Sequence, residues 1–349
     1  MKQLGTLLFI CFTAFILVAC NSNNAVDSNE SANNSNSEDN VNSEDGGKFE
    51  PTQSIEVVAP GGAGGGWDTT AREVVKTFGE TGIIDSNMAV INKEGGGGAI
   101  AWAYIHKKDD SPYNLFVSSP PIMFVPLNGQ SDYGHEDFTP LSNMIADYAA
   151  FAVNADSEYN DLNELFAAMK EDPESVTVIG ASAPGSMDHI QFIRIAKAAG
   201  VDVKKVKYVS DQDGGALTSL LNGSVDVYST GVAETVEQVR AGNIKVLGIT
   251  AEERLEGDVL SDFPTAIEQG IDETFVNWRG FFGPPNMDQA AIEYYEEKFQ
   301  ELSDSEEFAE IRKKYGWNEM YLNHEEYTQF LDEEKEEIQT LLDEVGLGN

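Results

Sequence analysis

Short apolar strands that alternate with amphipathic helices predict an α/β fold for this chain of 349 residues. In the first series, the strand Ile55–Ala59 precedes a glycine-rich turn and a helix over 68–78, and Met88–Asn92 forms the next strand. A second series of the same kind starts at 151–153. Because this length suffices for two domains of ordinary size, we expect two α/β lobes, with mostly parallel strands and with helices on both faces.

The first series continues with a second glycine run at 95–98, which leads into a helix through Trp102. A third strand follows at 115–117 and ends in Ser118 and Ser119. In open α/β sheets, ligands bind beyond the carboxyl ends of the strands. We therefore expect the loops after these strands to face the ligand.

The second series repeats the alternation and then gives way to an acidic, helical C-terminal part. Asp161 is placed to cap a helix with an apolar stripe. From Asp288 onward the pattern is helical, with breaks near Ser303 and Gly316. Between these parts we expect strands at 176–179, 206–209, 225–228 and 244–249, helices through 190–196 and 217–221, and an extended return at 275–283.

This order predicts that the second lobe is inserted between two parts of the first. The first lobe would comprise 54–150 together with 277–349, and the second lobe would comprise 151–276. The cleft between the two lobes is then the expected ligand site.

The charge and the cysteine content exclude several classes of site. The net charge of −38, from 60 acidic and 22 basic residues, excludes the basic face that nucleic acid requires. Cys11 and Cys20 both precede the predicted body, which therefore has no disulfide and no thiolate metal site. The four histidines are scattered and lack metal-ligand spacing. We expect no metal ion, no cofactor and no nucleic-acid partner.

The first 20 residues have the pattern of a secretory signal. Lys2 precedes an apolar run at 7–18, which is shorter than the span of about 20 residues that crosses a bilayer. The residues at 17–20, Leu-Val-Ala-Cys, resemble a bacterial lipobox. They predict a signal peptide at 1–19 and lipidation of Cys20. The alternative is a membrane anchor with an incidental cysteine.

The segment that follows the signal is composed largely of Asn, Ser, Asp, Glu and Gly. Such a segment cannot bury enough apolar surface to become ordered. We therefore expect 20–53 to be a lipidated cysteine followed by a disordered tether, which holds the body at the outer face of the cell membrane. An untethered protein would be lost from a cell with a single membrane, which favours a Gram-positive bacterium.

The glycine-rich segment 60–66 lies between a predicted strand and a predicted helix. Glycine allows positive φ and a close approach to a ligand, and consecutive N–H groups at a helix start attract an anion. Asp68 is placed to cap this helix, directly after Trp67. The segment therefore predicts an anion site; the alternative is a flexible turn without a ligand.

Known nucleotide and catalytic motifs do not match. A dinucleotide fingerprint that starts at Gly62 requires glycine where Trp67 stands, and no P-loop lysine follows. A nucleophile elbow fails at Pro184, where it requires glycine. No Ser–His–acid set can be identified, so we expect no catalytic residue.

A second candidate loop, 180–186, occupies the equivalent position in the second lobe. Ser182 offers a hydroxyl, and Ser186 is placed to cap the next helix, which is also the alternative role of the whole loop. Two such loops, one from each lobe, suit a ligand with a carboxylate at each end.

A set of motifs, in order from Ser54 to the end, resembles the solute receptors of tripartite tricarboxylate transporters, the TctC or Bug family. The ordered set is more specific than any single motif. The matching segments are 60–68 with Arg72, 92–98, 137–140, Tyr208 with Gly214 and Gly215, 222–226, 241–245, 263–265 and 278–281.

The resemblance implies a type II periplasmic-binding-protein fold, in which two α/β lobes enclose a ligand cleft, and a protein that is not an enzyme. It implies a small, citrate-like di- or tricarboxylate as the ligand and the membrane permease subunits of the transporter as partners; we expect a monomer. By position in the motifs, the ligand-binding residues would be Gly61, Gly62, Ala63, Gly64, Trp67, Ser118, Ser119, Ser182, Ala183, Gly185, Ser186 and Asp211.

Two other interpretations remain open. A secreted α/β enzyme acting on a small acidic solute would need a general base, for which Asp147, Asp188 and Asp211 are the candidates. A sensor lipoprotein would bind the same solute and signal through a partner.

Overall fold

A computed structural model describes residues 48–211 and 215–348 of the chain. The expected signal peptide at 1–19, the lipidation site Cys20 and most of the expected tether at 20–53 lie outside these residues. Among the helices of the described part, none combines the length and the apolar character that crossing a membrane requires.

The first set of strands is parallel. Strand β1 (Ile55–Ala59) lies between β2 (Met88–Asn92) and β3 (Asn114–Ser118), and β1 and β2 have the predicted bounds. The helices that accompany these strands are α1 (Gly66–Thr81), α2 (Ala99–Ile105) and α3 (Pro121–Leu127).

The long strand β4 (Thr139–Asn154) belongs to both sets of strands. Its first part pairs with β9 (Val276–Gly283) and β10 (Asn318–Leu322). Its second part pairs with β7 (Val227–Gly231) and β8 (Ile244–Ile249). We call β1, β2, β3, β9 and β10 with their helices and loops the first lobe. We call β5 to β8 with their helices and loops the second lobe, and β4 connects the two.

The second lobe is built around two further strands. Strand β5 (Thr177–Gly180) lies between β6 (Lys207–Ser210) and β7, and is parallel to both. The predicted strand at 225–228 begins two residues later and includes 229–231. The helices of this lobe are α4 (Leu162–Glu171), α5 (Met187–Ala198), α6 (Ala216–Leu221) and α7 (Val232–Arg240).

The prediction of a mostly parallel sheet is wrong, because β4 pairs antiparallel with all four of its partners, and β3 pairs antiparallel with β9. Alternation of strands and helices predicts parallel neighbours, but it does not reveal a strand that returns from the other lobe. The direction of β4 and β9 is therefore set by contacts between residues far apart in the sequence.

The C-terminal part contains a strand that the sequence pattern did not predict. Helices α8 (Gln289–Ser303), α9 (Glu306–Tyr315) and α10 (His324–Glu344) are interrupted at the predicted breaks. Strand β10 lies between α9 and α10. It has only five residues, none of them fully buried, so its alternating pattern is lost among the acidic helices on either side.

Apolar layers cover both faces of the first lobe. Val57 belongs to a buried cluster with Phe78 of α1, whereas the next residue, Val58, belongs to a cluster with Trp102 of α2. Successive side chains of a strand point to opposite faces, which explains this division. The second lobe has its own core, centred on residues such as Phe166. Each lobe is therefore held together by its own apolar packing.

Phe49 lies before the first strand and packs on the first lobe. Its ring lies 5.8 Å from that of Tyr113 and 5.4 Å from that of Tyr294, measured between ring centroids. The described chain therefore contacts the body several residues before Ser54.

The predicted cap at Asp161 is confirmed, and it provides a stability test. The Asp161 side chain accepts a hydrogen bond of 2.8 Å from the backbone N–H of Glu164 at the start of α4. We expect Asp161→Ala to lower the free energy of unfolding by about 1 kcal/mol in urea titrations. Ser186 is the N-cap residue of α5 but makes no side-chain capping bond, so Ser186→Ala is the matched control. Equal losses in the two variants would contradict this account.

Candidate functional site

A pocket of about 440 Å³ opens between the lobes, beside the central strands β4 and β9. We call it the cleft pocket. Its walls combine a glycine loop, aromatic rings, three carboxylates and one guanidinium. The first lobe and β4 supply Gly61, Gly64, Gly65, Gly66, Trp67, Thr69, Ser119, Pro121, Asp147, Asn277, Arg279, Tyr315 and Trp317, and the second lobe supplies Met187, Asp188, Gln191, Gly231, Ala233 and Glu234.

The glycine loop is shaped by a carboxylate inside α1. Gly64 has a φ of +81°, which glycine adopts readily, and its N–H donates to Asp68 Oδ2 at 2.8 Å. Asp68 also accepts from Arg72 at 2.8 Å and from Asn92 at 2.9 Å. Burial favours the neutral acid, but these hydrogen bonds prevail and lower the pKa of Asp68.

Asp68 therefore stabilises the loop, although not in the predicted N-cap position. The N-cap residue is Gly65, which cannot form a side-chain bond, and Asp68 lies in the first turn. The prediction of an Asp68 cap is wrong in position, because α1 begins two residues before the predicted start at 68. The bond reaches back to Gly64 N–H, just outside the helix.

Trp67 closes one side of the pocket. Its indole N–H donates to Ser119 Oγ at 2.9 Å, which joins the glycine loop to the turn after β3. A side chain at Gly61 would place its Cβ 3.2 Å from the indole ring, so glycine lets the loop pack closely on Trp67. The neighbouring Ser118 is buried but does not line the pocket.

A buried ion pair forms the floor of the cleft pocket. Arg279 Nη2 donates to Asp147 Oδ2 at 2.8 Å, and Arg279 Nη1 donates to Thr70 Oγ1 at 3.3 Å. Both charged side chains are less than a tenth exposed. Burial raises the pKa of Asp147, while the positive charge of Arg279 acts in the opposite direction. The guanidinium also lies 5.6 Å from the ring centroid of Trp317.

Two carboxylates face the pocket from the second lobe. Asp188 accepts from Ser182 N–H at 2.9 Å, and Ser182 Oγ accepts from Asp188 N–H at 2.8 Å. Glu234 accepts from Gly231 N–H at 2.9 Å at the start of α7. Asp188 therefore takes up an N–H of the loop before α5, and Glu234 takes up the N–H of the N-cap residue of α7, where an external anion would otherwise bind.

Two further N–H groups of the second loop are also bonded internally. Gly185 N–H donates to His189 Nδ1 at 3.0 Å, and Ser186 N–H donates to the Ala183 carbonyl at 3.0 Å. Asp211 Oδ1 accepts from Gly215 N–H at 3.1 Å; residues 212–214, between them, lie outside the described part.

The structure thus brings together part of the predicted ligand set. Gly61, Gly64, Trp67 and Ser119 line the cleft pocket, as do two of the candidate bases, Asp147 and Asp188. Their contact with a ligand stays a prediction. The predicted residues that do not line the pocket are Gly62, Ala63, Ser118, Ser182, Ala183, Gly185, Ser186 and Asp211.

Arg279, Asn277 and Glu234 also line the pocket, but they are not among the residues predicted from the sequence. The sequence does single out Arg279, because it is the one charged residue of a strand that is otherwise apolar or small apart from Asn277. The sequence does not single out Glu234, because a glutamate in the first turn of a helix is common.

One cluster in the described part has metal-ligand spacing, and it lies outside the cleft pocket. It consists of His135, Glu136 and Asp332. His135 Nε2 is 3.2 Å from Asp332 Oδ1, and Glu136 forms an ion pair with Lys335 at 2.6 Å. The ion pair with Lys335 explains the position of the Glu136 carboxylate without a metal ion.

The raised pKa of Asp188 predicts that the stability of the protein depends on pH. Burial is the largest cause that raises its pKa to about 6; Ser182 N–H opposes the shift, and the charge of Glu234 adds to it. Because the folded state then binds the proton more tightly than the unfolded state, stability falls as pH rises from about 4 to above 6. We expect Asp188→Asn to stabilise the protein by about 1–3 kcal/mol at pH 8 and by much less at pH 4. Urea titrations at both pH values measure this difference, and an equal effect at the two would contradict the account.

Comparison with known proteins shows extensive similarity. A model of the TctC family, described as the tripartite tricarboxylate transporter family receptor, matches residues 70–347. A protein of Pseudomonas sp. (strain P51), described as a UPF0065 protein in the tcbD-tcbE intergenic region, is 25% identical over 273 residues. The matched region covers 76% of this chain and 78% of that relative.

Solved structures share the two-lobed fold. Rpa4515 of R. palustris, solved with adipate, superposes with a TM-score of 0.73 at 20% identity and covers 85% of this chain and 99% of its own. MatC from Rhodopseudomonas palustris, with bound malate, gives 0.68 at 21% identity and covers 84% and 99%. The predicted periplasmic-binding-protein fold is therefore confirmed.

Proposed function

Because the chain belongs to the tripartite tricarboxylate transporter receptor family, as its motifs predicted, we propose that it is an extracytoplasmic receptor that binds a small organic di- or tricarboxylate and delivers it to the permease of such a transporter. The observation that carries the proposal is the cleft pocket, where a buried guanidinium and a glycine loop meet between two lobes. Such clefts are the usual ligand sites of two-lobed α/β proteins.

Size and chemistry support a small carboxylate. A pocket of about 440 Å³ lies at the small end of the range for ligand sites, about 300–1,000 Å³. Arg279 is the basic residue among those that line it, and an arginine fork matches the two oxygens of a carboxylate. The relatives solved with adipate and malate bind ligands of this class.

In this proposal the lobes close on the solute. The first lobe, predicted as 54–150 with 277–349, and the second lobe, predicted as 151–276, would move about β4, which pairs with strands of both. Trp67 and Ser119 would contact the solute from one side, and Asp188 would approach from the other.

We further propose that the receptor acts as a monomer and is anchored by a lipid on Cys20, at the outer face of a single cell membrane. The lipobox-like residues at 17–20 and the polar composition of the following segment support this localisation. A tether would keep the receptor close to the permease and raise its effective concentration there.

Thermal denaturation and calorimetry with a panel of carboxylates test the receptor function. The panel includes citrate, malate, succinate, adipate and aromatic acids. A solute at 100 times its dissociation constant adds about 2.7 kcal/mol of stability. We expect at least one member to bind with a 1:1 stoichiometry, and a panel without any binding member would count against the proposal.

Trp67 provides the matched variant for this test. We expect Trp67→Ala to weaken solute binding about tenfold or more, because the change removes a large ring from the pocket wall and frees Ser119. Ile100 is 57% exposed and does not line the pocket, so Ile100→Ala should leave the affinity unchanged. If both variants bind like the wild type, the solute site lies elsewhere.

A further inference from the structure

We propose that helix α10 is a strap between the two lobes, and that its contact with α5 stays intact while the cleft opens and closes. The lobes then rotate about this contact and β4, and Arg194 of α5 is the positioning residue that holds the contact together. This inference rests on the proposed receptor function, because it describes how the cleft closes on the solute.

Helix α10 is long enough to reach both lobes. Its 21 residues correspond to a length of about 30 Å. At its start, His324 Nδ1 lies 2.6 Å from the Pro140 carbonyl oxygen of β4. One turn later, the buried ring of Tyr327 lies 5.6 Å from that of Trp278 in β9. At its other end, Val345 packs on the core of the second lobe. The helix therefore begins on the first lobe and ends on the second.

The contact between α10 and α5 contains apolar packing that joins the two lobes. Phe192 and Ile193 of α5 belong to the core of the second lobe. Ile190, from the same helix, is instead fully buried in a cluster of the first lobe, together with Phe124 of α3 and Leu342 of α10. Separating the lobes here would expose these side chains to water, which is unfavourable. The contact is therefore retained in both arrangements of the lobes.

A largely buried guanidinium holds the charged part of the same contact. Arg194 is 15% exposed, and its Nη2 lies 2.8 Å from Glu337 of α10. Its Nη1 lies 3.8 Å from Glu334, also on α10 and only 18% exposed. Its Nε pairs with Glu273, in the segment before β9, at 3.1 Å. Because loss of one partner from a buried ion pair leaves the other charge uncompensated, Arg194 is the group that fixes α10 to α5.

The contact lies beside the cleft pocket and touches the loop 180–186. Pro121 and Met187, the first residues of α3 and α5, line the pocket. Asn128 Nδ2, after α3, lies 3.5 Å from the Gly185 carbonyl oxygen. A Cβ at Gly185 would lie 3.3 Å from Leu347 Cδ1, just beyond α10. Rotation about this contact therefore keeps Pro121 and Met187 close together, while the walls farther from the contact separate.

Distances between spin labels test the inference in the full-length chain, after its two cysteines are replaced by serine. Labels at Ala198→Cys and Glu336→Cys report on the contact between α5 and α10. Labels at Glu94→Cys, beside the glycine loop, and Glu237→Cys, on α7, report on the cleft. All four positions are exposed, and none lines the cleft pocket. We expect the tightest-binding solute of the carboxylate panel to shorten the distance across the cleft and to leave the distance between α5 and α10 unchanged.

A covalent link across the contact gives a second test. Lys197 of α5 and Glu344 of α10 form an ion pair of 2.8 Å at its exposed edge. Both are replaced with cysteine and joined by a short bis-maleimide. We expect the linked protein to bind the solute with an affinity within about threefold of that of the unlinked protein, because the link restrains no movement that closure requires. A loss of about tenfold or more would show that the contact opens.

The variant Arg194→Met tests the positioning role. Arg194 does not line the cleft pocket, yet we expect the variant to bind the solute about tenfold more weakly, because loosely connected lobes must be ordered on binding. The distribution of distances between the labels at Ala198 and Glu336 should broaden. Arg254→Met is the matched control, since Arg254 pairs with Glu268 at 2.9 Å within the second lobe and is 44% exposed. It should change neither quantity. Circular dichroism and thermal melting verify that each variant is folded, and an Arg194→Met protein with unchanged affinity and distances would refute the role of Arg194.

The outcomes separate the strap from the receptor function. If the solute changes the distance between α5 and α10, or changes neither distance, the strap is overturned and the receptor function stands. If no solute binds, the receptor function fails, and the solute-free protein decides about the strap. A narrow distribution between α5 and α10 with a broader one across the cleft supports the strap, and equal widths overturn it.

Discussion

Replacing Arg279 with methionine is expected to lower the free energy of unfolding by about 3–5 kcal/mol, because the change leaves the buried Asp147 carboxylate without its partner. Urea denaturation of the ligand-free protein measures this loss. The same variant should lose affinity for carboxylates, since the guanidinium is the basic group that lines the pocket.

A surface ion pair provides the control for this variant. Arg240 is 45% exposed and pairs with Glu237 at 2.6 Å and with Asp258 at 3.2 Å. Pairs of this kind contribute about 0–1 kcal/mol, so Arg240→Met should have little effect on stability or on binding. In the double variant Asp147→Asn with Arg279→Met, much of the stability should return, because no unpaired charge remains buried. Similar losses for Arg279→Met and Arg240→Met would show that the buried pair is not important for stability.

The second large effect is expected from Gly66→Ala at the start of α1. A Cβ at this position would lie 2.6 Å from Arg279 Nη2 and 3.0 Å from Cζ, so the guanidinium must move away from Asp147. We expect a loss of about 1–3 kcal/mol in stability and a weaker affinity for the solute, because Arg279 would no longer hold its position in the pocket. Urea denaturation and calorimetry measure the two effects.

Gly79, in the same helix, is the matched control. No atom lies within 4 Å of a Cβ built at Gly79, so Gly79→Ala meets no obstacle. Alanine in a helix interior is more favourable than glycine by roughly 0.5–1 kcal/mol, and this variant should be more stable while it binds the solute normally. If Gly66→Ala has the same stability and affinity as Gly79→Ala, the close approach of Arg279 to Gly66 affects neither quantity.

Local patterns predicted the elements whose bounds depend on neighbouring residues. The strands Ile55–Ala59, Met88–Asn92 and Ile244–Ile249 have the expected bounds, since each is a short apolar run flanked by turn residues. The Asp161 cap was also predicted, because a capping bond spans only three residues.

Elements set by long-range pairing were not predictable in this way. Strand β10 pairs with β4 across more than 170 positions, and its half-exposed residues give no periodic signal of their own. The antiparallel direction of β4 depends on partners from both lobes, which strand–helix alternation does not identify.

The same distinction applies to the candidate site. The glycine loop was found because its residues are consecutive, and it does line the pocket. The pair of Arg279 and Asp147 joins residues 132 positions apart, and no spacing within either strand indicates it. Glu234 of the second lobe was missed because a glutamate in the first turn of a helix is ordinary, whereas Asp188 was named as a candidate general base.

A crystal structure with the tightest-binding member of the carboxylate panel would locate the solute. We expect it in the cleft pocket, with a carboxylate oxygen within hydrogen-bonding distance of the Arg279 guanidinium and with the lobes closed around it. A solute bound outside this pocket, or one held there without any contact to Arg279, would rule out the proposed site.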